Sequence, residues 1–239
     1  MGYVLIETTN DDEFISRSVA LLTEKITGAI AEHGRCILGL SGGSTPRQIY
    51  EALGTVGAYG HTPLPSIDWS KIYLFLIDER AVPKDHPDSN QFLIRSTLLR
   101  HAPIPESNLY FPDTTLPIDE CVEQYAAHLK DLFKNNLPDV VTLGLGDDGH
   151  IASLFPPIAE NLTDDSRLVA HTITDRFTVR DRITLTLNPI AAANHAIFFL
   201  KGNEKKKVWK EMLKSHDGDK RWPAKRILES TEATIMAEW

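Results

Sequence analysis

Residues 36–46 read CILGLSGGSTP, an apolar run that passes into small polar residues and a proline. The nearly continuous apolar character of residues 36–40 is typical of a strand that is buried on both faces of a sheet. Pro46 suits the start of a helix, where its missing N–H would have no partner anyway, and Thr45 is a good helix-capping residue. We therefore predict a strand over 36–40, a turn, and a helix from Pro46 to residue 53 with Thr45 as its N-cap.

Short apolar runs and amphipathic segments alternate on both sides of this stretch. Further strands or extended segments are predicted at residues 3–7, 72–77, 109–111, 140–143, 183–187 and 196–200. Apolar residues recur at helical spacing over residues 11–32, 89–99, 118–135 and 204–213. This alternation favours an α/β fold with a mainly parallel sheet and helices on both faces. Since no repeat, low-complexity segment or interdomain linker interrupts it, we predict a single domain over residues 1–239.

The composition is that of a globular protein, and it narrows the classes of function. A formal net charge of −8 disfavours nucleic acid as a partner, because its phosphates are held by positive charge. An anionic substrate therefore needs a local basic pocket. The sequence has no run of about 18 apolar residues that would span a membrane, and its amino terminus lacks the features of a signal peptide. The two cysteines, Cys36 and Cys121, match no disulfide or zinc spacing, and we predict a cytoplasmic protein.

Three predicted strands end in unusual polar sequences. These are SGGST at residues 41–45, DER at 78–80 and GLGDDGH at 144–150. The carboxyl ends of parallel strands meet at one rim of a sheet, and sites in open α/β folds form there. The convergence of the three segments predicts a functional site at that rim.

The SGGST segment is a candidate anion site, because glycines expose backbone amides at the amino end of the following helix. A plain turn between strand and helix is an equally good interpretation of this segment alone. No lysine follows the glycines, so the segment is not a Walker-type nucleotide loop. Residues 39–43 also fit the G-x-S-x-G pattern of serine hydrolases, but only one strand precedes them and no oxyanion segment of the HGGG type lies upstream.

The segment Asp78-Glu79-Arg80 offers an arginine to a phosphate or carboxylate, because the planar guanidinium matches both groups. The alternative is a solvated acidic pair with the arginine as its salt-bridge partner. Lys205 is a further candidate, since a cation at the start of a helix is unfavourable to the helix dipole unless an anion offsets it. Its alternative is a solvated run of lysines over 205–207.

The third segment also spells G-x-G-x-x-G, the pattern of a dinucleotide site. Such a site needs a long helix here, and Pro156 and Pro157 would end it early. The segment instead places Asp148 two residues before His150. A histidine is a suitable general base for water, and a nearby carboxylate can orient its ring. No histidines and carboxylates show metal-ligand spacing, and we predict neither a metal nor a cofactor.

Together these motifs resemble the 6-phosphogluconolactonase family over nearly the whole chain. The matching segments are LSGGSTP at 40–46, DER at 78–80 with Ser89-Asn90 downstream, GLGDDGHIASLFP at 144–156, RIT at 182–184 and GNEK at 202–205. The related glucosamine-6-phosphate deaminases share the glycine-rich loop, the Asp-Glu pair and the Asp-Gly-His segment. They carry a glutamate where this chain has Phe155 and an aromatic residue where it has Arg80, and both differences favour the lactonase.

The resemblance implies hydrolysis of 6-phospho-D-glucono-1,5-lactone to 6-phospho-D-gluconate, the second step of the oxidative pentose phosphate pathway. His150, oriented by Asp148, would deprotonate the attacking water, and amides near Gly43 or Gly149 would stabilise the oxyanion. The implied substrate-binding residues are Ser41, Gly42, Gly43, Ser44, Thr45, Asp78, Arg80, Arg182 and Lys205. The implied partner is a small sugar phosphate, without nucleic acid, membrane or cofactor, bound by a monomer or a small homo-oligomer.

Two other functions stay open at this point. One is an isomerase or deaminase acting on an amino-sugar phosphate, which Phe155 disfavours because phenylalanine cannot transfer a proton. The other is a non-enzymatic sugar-phosphate sensor. A sensor would be expected to carry a DNA-binding helical segment, for which no room exists before Ser41, and binding alone would not need His150 and Asp148.

Overall fold

The computed structural model describes residues 2–56, 64–134, 136–163 and 167–239, and within them it contains two β-sheets. The strands are β1 Tyr3–Thr8, β2 Cys36–Leu40, β3 Ile72–Leu76, β4 Asp78–Arg80, β5 Leu109–Tyr110, β6 Val140–Leu143, β7 Val169–Ile173, β8 Asp181–Leu185, β9 His195–Lys201 and β10 Glu232–Glu238. Seven strands run parallel in the order β1-β10-β9-β6-β2-β3-β5. The smaller, antiparallel sheet has the order β4-β8-β7.

Helices cover both faces of the larger sheet. They are α1 Asp11–His33, α2 Ser44–Gly54, α3 Asn90–Ser96, α4 Ile118–Phe133, α5 Leu187–Ala191, α6 Asn203–Lys214 and α7 Pro223–Ser230. Alternate residues of β2 reach opposite faces: Ile37 packs in the core cluster that includes residues of α4, α6 and α7, and Leu38 packs in the cluster that includes residues of α1 and α2. A strand buried on both faces needs apolar residues throughout, and the predicted fold class is confirmed.

Ile77 passes the chain from the larger sheet to the smaller one. Its N–H donates to the carbonyl of Leu40 at 3.0 Å, and its carbonyl accepts from the N–H of Leu185 at 2.8 Å. The strand predicted over 72–77 therefore ends at Leu76, and residues 78–80 pair with β8 as a short strand rather than lying in a loop. This junction holds the smaller sheet at the carboxyl end of β3.

The helix after the glycine-rich turn begins earlier than predicted. α2 starts at Ser44, and Gly43 is its N-cap with φ 112° and ψ 171°, so the prediction of Thr45 as N-cap is wrong. Glycine reaches this region of φ without the steric cost that a Cβ imposes, and the chain turns into the helix two residues before Pro46.

Other boundaries also differ from the predicted ones. The strand predicted over 183–187 lies at Asp181–Leu185, and Leu187 begins α5. The helix predicted over 89–99 ends at Ser96, because Thr97 leaves the helical conformation with φ −117° and ψ −87°. β7, α7 and β10 were not predicted.

The sequence predicted no disulfide between the two cysteines and no membrane-spanning segment. Cys36 and Cys121 are free and buried, and burial raises the pKa of both thiols. None of the helices in the described residues combines the length and the apolar character needed to cross a membrane.

Candidate active site

A cavity of about 330 Å³ opens at the rim where β2, β3 and β6 end. Its lining residues are Ser41, Gly42, Gly43, Ser44, Thr45, Pro46, Asp78, Arg80, Leu143, Gly144, Leu145, Gly146, Asp147, His150, Ala152, Phe177, Phe199 and Lys205. All three polar strand ends identified in the sequence contribute to this lining, as does the start of α6. The structure thus brings together every predicted site residue except Asp148 and Arg182, which lie behind the residues that line the cavity.

The glycine-rich turn presents backbone N–H groups at the amino end of α2. No hydrogen bond between described residues uses the amide of Gly42, Gly43 or Ser44 as its donor. Gly42 has no room for a side chain, because a Cβ there would lie 1.8 Å from Oδ1 of Asn90. Free amides at a helix amino terminus attract anions, so this end of the cavity suits a phosphate.

His150 and Asp148 form a hydrogen-bonded pair on the loop that follows β6. His150 Nδ1 lies 2.5 Å from Asp148 Oδ1, and the His150 backbone N–H donates to the same oxygen at 3.1 Å. When the Nδ1 proton is donated to the carboxylate, Nε2 is the ring nitrogen left to accept a proton. Burial alone would raise the pKa of Asp148, but the hydrogen bond and charge of His150, helped by Arg176, lower it to about 2. The pair has the arrangement of a general base with its orienting carboxylate.

Two arginines lie side by side in the smaller sheet. Arg80 and Arg182 are paired residues of β4 and β8, and the Nε atoms of both are buried without a hydrogen-bond partner among the described residues. Arg80 also donates from Nη1 to the carbonyl of Asp88 at 2.6 Å. Burial, and next the charge of Arg80, lower the pKa of Arg182. An anion near this pair would relieve the repulsion between the two cations.

Lys205 reaches the cavity from the first turn of α6. Its Nζ lies 2.5 Å from Oδ1 of Asp147, so the cation is held beside the loop that carries His150. Gly202 precedes α6 with φ 92°, a conformation that favours glycine. Lys205 thus lines the cavity and is not only one of a run of solvated lysines.

Asp78 and Glu79 are both buried, so neither belongs to a solvated acidic pair. Asp78 lines the cavity and accepts a hydrogen bond from Ser153 Oγ at 2.6 Å. Glu79 points away from the cavity and accepts from the backbone amides of Arg80, Asn90 and Gln91 and from Ser89 Oγ. Burial raises the pKa of Glu79, although these hydrogen bonds oppose the rise.

Sequence reasoning missed part of the aromatic wall of the site. The rings of Phe155 and Phe177 lie 4.9 Å and 6.0 Å from the ring of His150, measured between centroids. Phe177 lies in the loop between β7 and β8, away from the three polar strand ends in the sequence, and its side chain lines the cavity. Phe177 lies five residues before Arg182, but this spacing matches no site motif. The sequence therefore gave no reason to assign Phe177 to the site.

The alternative readings of the motifs find no support in this geometry. After residues 144–150 the chain forms turns, and the first helical residues are those of the 3-10 helix Glu160–Leu162, so a dinucleotide site lacks its helix. Ser41 is buried, and no hydrogen bond among the described residues joins its hydroxyl to a histidine. The same residues include no cluster of three or more histidines, cysteines and carboxylates that would hold a metal.

Residues 9–236 match a model of the family described as glucosamine-6-phosphate isomerases/6-phosphogluconolactonase. The chain belongs to this family, as its motifs predicted. Because the match spans nearly the whole chain, it includes the glycine-rich turn, the loop with His150 and the start of α6.

Similar proteins include lactonases from distant organisms. A probable 6-phosphogluconolactonase of Dictyostelium discoideum is 40% identical, over 96% of this chain and 95% of the relative. A 6-phosphogluconolactonase of Synechocystis sp. is 35% identical, over 91% and 88%. The crystal structure of the 6-phosphogluconolactonase from Thermotoga maritima has a TM-score of 0.85 at 27% identity and covers 100% of both chains.

Proposed function

We propose that this protein hydrolyses 6-phospho-D-glucono-1,5-lactone to 6-phospho-D-gluconate, a step of the oxidative pentose phosphate pathway. The observation that carries the proposal is the pairing of His150 with Asp148 at a cavity that also holds Lys205, Arg80 and free amides. A base for water at one end and an anion site at the other suit a phosphorylated lactone. Family membership and the named lactonases support the same reaction.

In the proposed mechanism, His150 Nε2 takes a proton from a water molecule that attacks the lactone carbonyl. Asp148 keeps the proton on Nδ1 and stabilises the imidazolium that forms. The same proton then passes from Nε2 to the ring oxygen as the carbon–oxygen bond breaks, which gives the free hydroxyl and a carboxylic acid that loses its proton to solvent. No step of this hydrolysis requires a cofactor.

The phosphate is assigned to the amides of Gly42, Gly43 and Ser44 and to the cations of Arg80 and Lys205. Arg182 would act beside Arg80 and add positive charge from behind the cavity wall. Of the amides considered for the oxyanion, that of Gly149 already donates to the carbonyl of Gly146 at 3.0 Å.

The amino-sugar alternative is disfavoured by Phe155. Its ring lies next to His150, at the place in the motif where the deaminases carry a glutamate that assists ring opening. A phenylalanine cannot move a proton, so this site lacks the group that opening of an amino-sugar ring would use. A sensor would not need the pairing of His150 with Asp148.

We also propose a cytoplasmic location and a monomer or small homo-oligomer that binds no nucleic acid. The unpaired, buried cysteines suit a reducing compartment, and the net charge of −8 opposes binding to phosphate backbones.

The test is the hydrolysis of freshly generated 6-phosphogluconolactone, followed through the product with a coupled dehydrogenase. We expect the protein to exceed the spontaneous rate at micromolar concentration or below. Ammonia release from glucosamine 6-phosphate is measured in parallel and is expected to be absent. A spontaneous rate of lactone opening together with ammonia release would replace the lactonase with the deaminase.

A further inference from the structure

The loop between β7 and β8, residues 174–180, lies against the pair formed by His150 and Asp148. Phe177 meets the ring of His150 nearly edge-on, at 82°. The preceding residue, Arg176, places its Nε 3.2 Å from Oδ2 of Asp148. Neither residue was identified from the sequence, and the lactonase mechanism above does not use Arg176.

Asp148 is contacted on three sides. Its Oδ1 faces His150, and its carbonyl oxygen accepts a hydrogen bond from Arg221 Nη1 at 2.7 Å. Its Oδ2 is buried and receives no hydrogen bond from the described residues, so the guanidinium of Arg176 is the cation that faces this oxygen. The Asp148 side chain is only 9% exposed, whereas that of Arg176 is 61% exposed. A nearly buried carboxylate oxygen is therefore covered by the side chain of a surface loop.

We propose that Arg176 is a positioning residue for the lactonase reaction: it fixes the carboxylate of Asp148 so that Oδ1 holds Nδ1 of His150. The inference rests on the proposed function and names a residue that acts through the base rather than on the substrate. An ion pair on Oδ2 limits rotation of the carboxylate, and small displacements of a catalytic group cost rate.

The positive charge of Arg176 has a second consequence, for the pH dependence of the rate. The charge of Arg176 is among the causes that lower the pKa of Asp148, after those from His150, and a cation opposes the arrival of another proton beside it. The other charged groups around the pair come from the loop after β6, the smaller sheet, the start of α6 and the segment before α7. They are Asp147, Asp78, Arg80, Arg182, Lys205 and Arg221. The Arg176→Gln change removes none of these charges.

The experiment compares Arg176→Gln with Arg180→Gln. Arg180 belongs to the same loop, is 59% exposed and pairs with Asp175 rather than with Asp148, so it is a matched control. For Arg176→Gln we expect kcat to fall by about 3- to 10-fold with KM nearly unchanged. The acid limb of its rate profile is expected to move to higher pH by about half a unit. Arg180→Gln should keep the wild-type kcat and profile.

Arg176→Lys retains the charge and is expected to restore most of the pH profile, while recovering less of kcat because its ammonium cannot reproduce the guanidinium geometry. An Arg176→Gln variant that matches Arg180→Gln in kcat and in pH profile would overturn the inference and leave the lactonase proposal standing. A loss expressed only in KM would also overturn it, since it would place Arg176 on the substrate. A wild-type protein without lactonase activity would overturn both.

Discussion

His150 can act as the proposed base only while its ring stays beside Asp148. The nearest constraint on that ring is a residue with no side chain. A Cβ at Gly146 would lie 2.0 Å from Nδ1 of His150, far inside any real contact. Gly146 also donates its N–H to the carbonyl of His150 at 2.8 Å, so it cannot move away without breaking the loop. Gly146 therefore makes room for the histidine ring and does not serve a pyrophosphate.

Gly146→Ala tests this constraint on the ring. We expect the added methyl to displace the imidazole and to lower kcat by about 10²-fold, within the range attributed to general base catalysis. Gly28→Ala is the control, because a Cβ there meets no atom within 4 Å and Gly28 lies outside the cavity lining. Steady-state kinetics on both variants, with circular dichroism to confirm folding, decide the point. Equal activity in the two variants would contradict the account.

Asp148 should contribute to stability in a pH-dependent way. Its pKa is lowered to about 2, so its contribution is fully present above its ordinary pKa and is lost as the pH falls toward 2. We expect Asp148→Asn to reduce the free energy of unfolding by about 1–2 kcal/mol at pH 6 and by clearly less at pH 3. Urea unfolding at both pH values measures the difference, with Asp175→Asn as an exposed control from the adjacent loop. A difference that grows on acidification would show that the sign is wrong.

At the scale of elements, Glu79 joins the smaller sheet to the first turn of α3. It lies in β4 and accepts hydrogen bonds from two amides of α3, those of Asn90 and Gln91. Asn90 in turn donates from Nδ2 to the carbonyl of Asp78 at 2.8 Å and packs on Gly42. The buried glutamate thus holds the helix that supports the glycine-rich turn of the cavity.

Glu79→Gln should therefore destabilise the protein. Glutamine replaces one carboxylate oxygen with an NH₂ group, which would face the N–H and O–H donors that Glu79 now accepts from. We therefore expect the free energy of unfolding to fall by about 2–4 kcal/mol. Glu106→Gln, at an exposed pair with Arg95, should cost less than about 1 kcal/mol. Chemical denaturation measures both, and similar losses in the two variants would refute the proposed structural role of Glu79.

Sequence reasoning was most successful where a single physical requirement fixed the residues. The bounds of β2 and β6 were predicted correctly because both strands are buried on both faces and read as apolar runs. β7 was missed because it is neither apolar throughout nor strictly alternating: His171 and Thr172 are partly exposed. Its strand conformation comes from antiparallel pairing with β8, which a local pattern does not reveal. The N-cap of α2 was wrongly predicted at Thr45. The helix follows Gly43, whose positive φ turns the chain, and no side chain caps it.

The location of the candidate site could be predicted from the sequence, but the spatial arrangement of its side chains could not. Strand order places the ends of β2, β3 and β6 at one rim, and three motifs follow those ends. The position of Arg182 behind the cavity depends on its register with Arg80 in the smaller sheet, which no local pattern encodes. Arg176 and Phe177 come from a loop whose path follows from tertiary packing, and the sequence alone gave no reason to select them.

At the scale of the whole molecule, the proposed function requires a chain of net charge −8 to bind an anion in one cavity. Helix amino termini and cations from α2, β4 and α6 meet there, on residues far apart in the sequence. A phosphorylated ligand would therefore connect the larger sheet, the smaller sheet and two helices. Binding of this kind stabilises the folded state by mass action.

The product, 6-phosphogluconate, should therefore raise the melting temperature. At 100 times its Kd it adds about 2.7 kcal/mol to the free energy of unfolding, which corresponds to about 5–10 °C for a chain of this size. Lys205→Ala should need about tenfold more ligand for the same shift, because it loses a charged phosphate contact. Lys207→Ala, on the same helix but outside the cavity lining, is the control. A shift unaffected by Lys205→Ala would remove Lys205 from the site.

The most direct test of the central claim is the rate of 6-phosphogluconolactone hydrolysis by the wild-type protein and by His150→Ala, after subtraction of the spontaneous rate. We predict that His150→Ala lowers kcat/KM by about 10²–10⁴-fold, the usual value of a general base, while its circular dichroism and melting temperature stay close to those of the wild type. A folded His150→Ala protein that opens the lactone at the wild-type rate would contradict the assignment of His150 as the base.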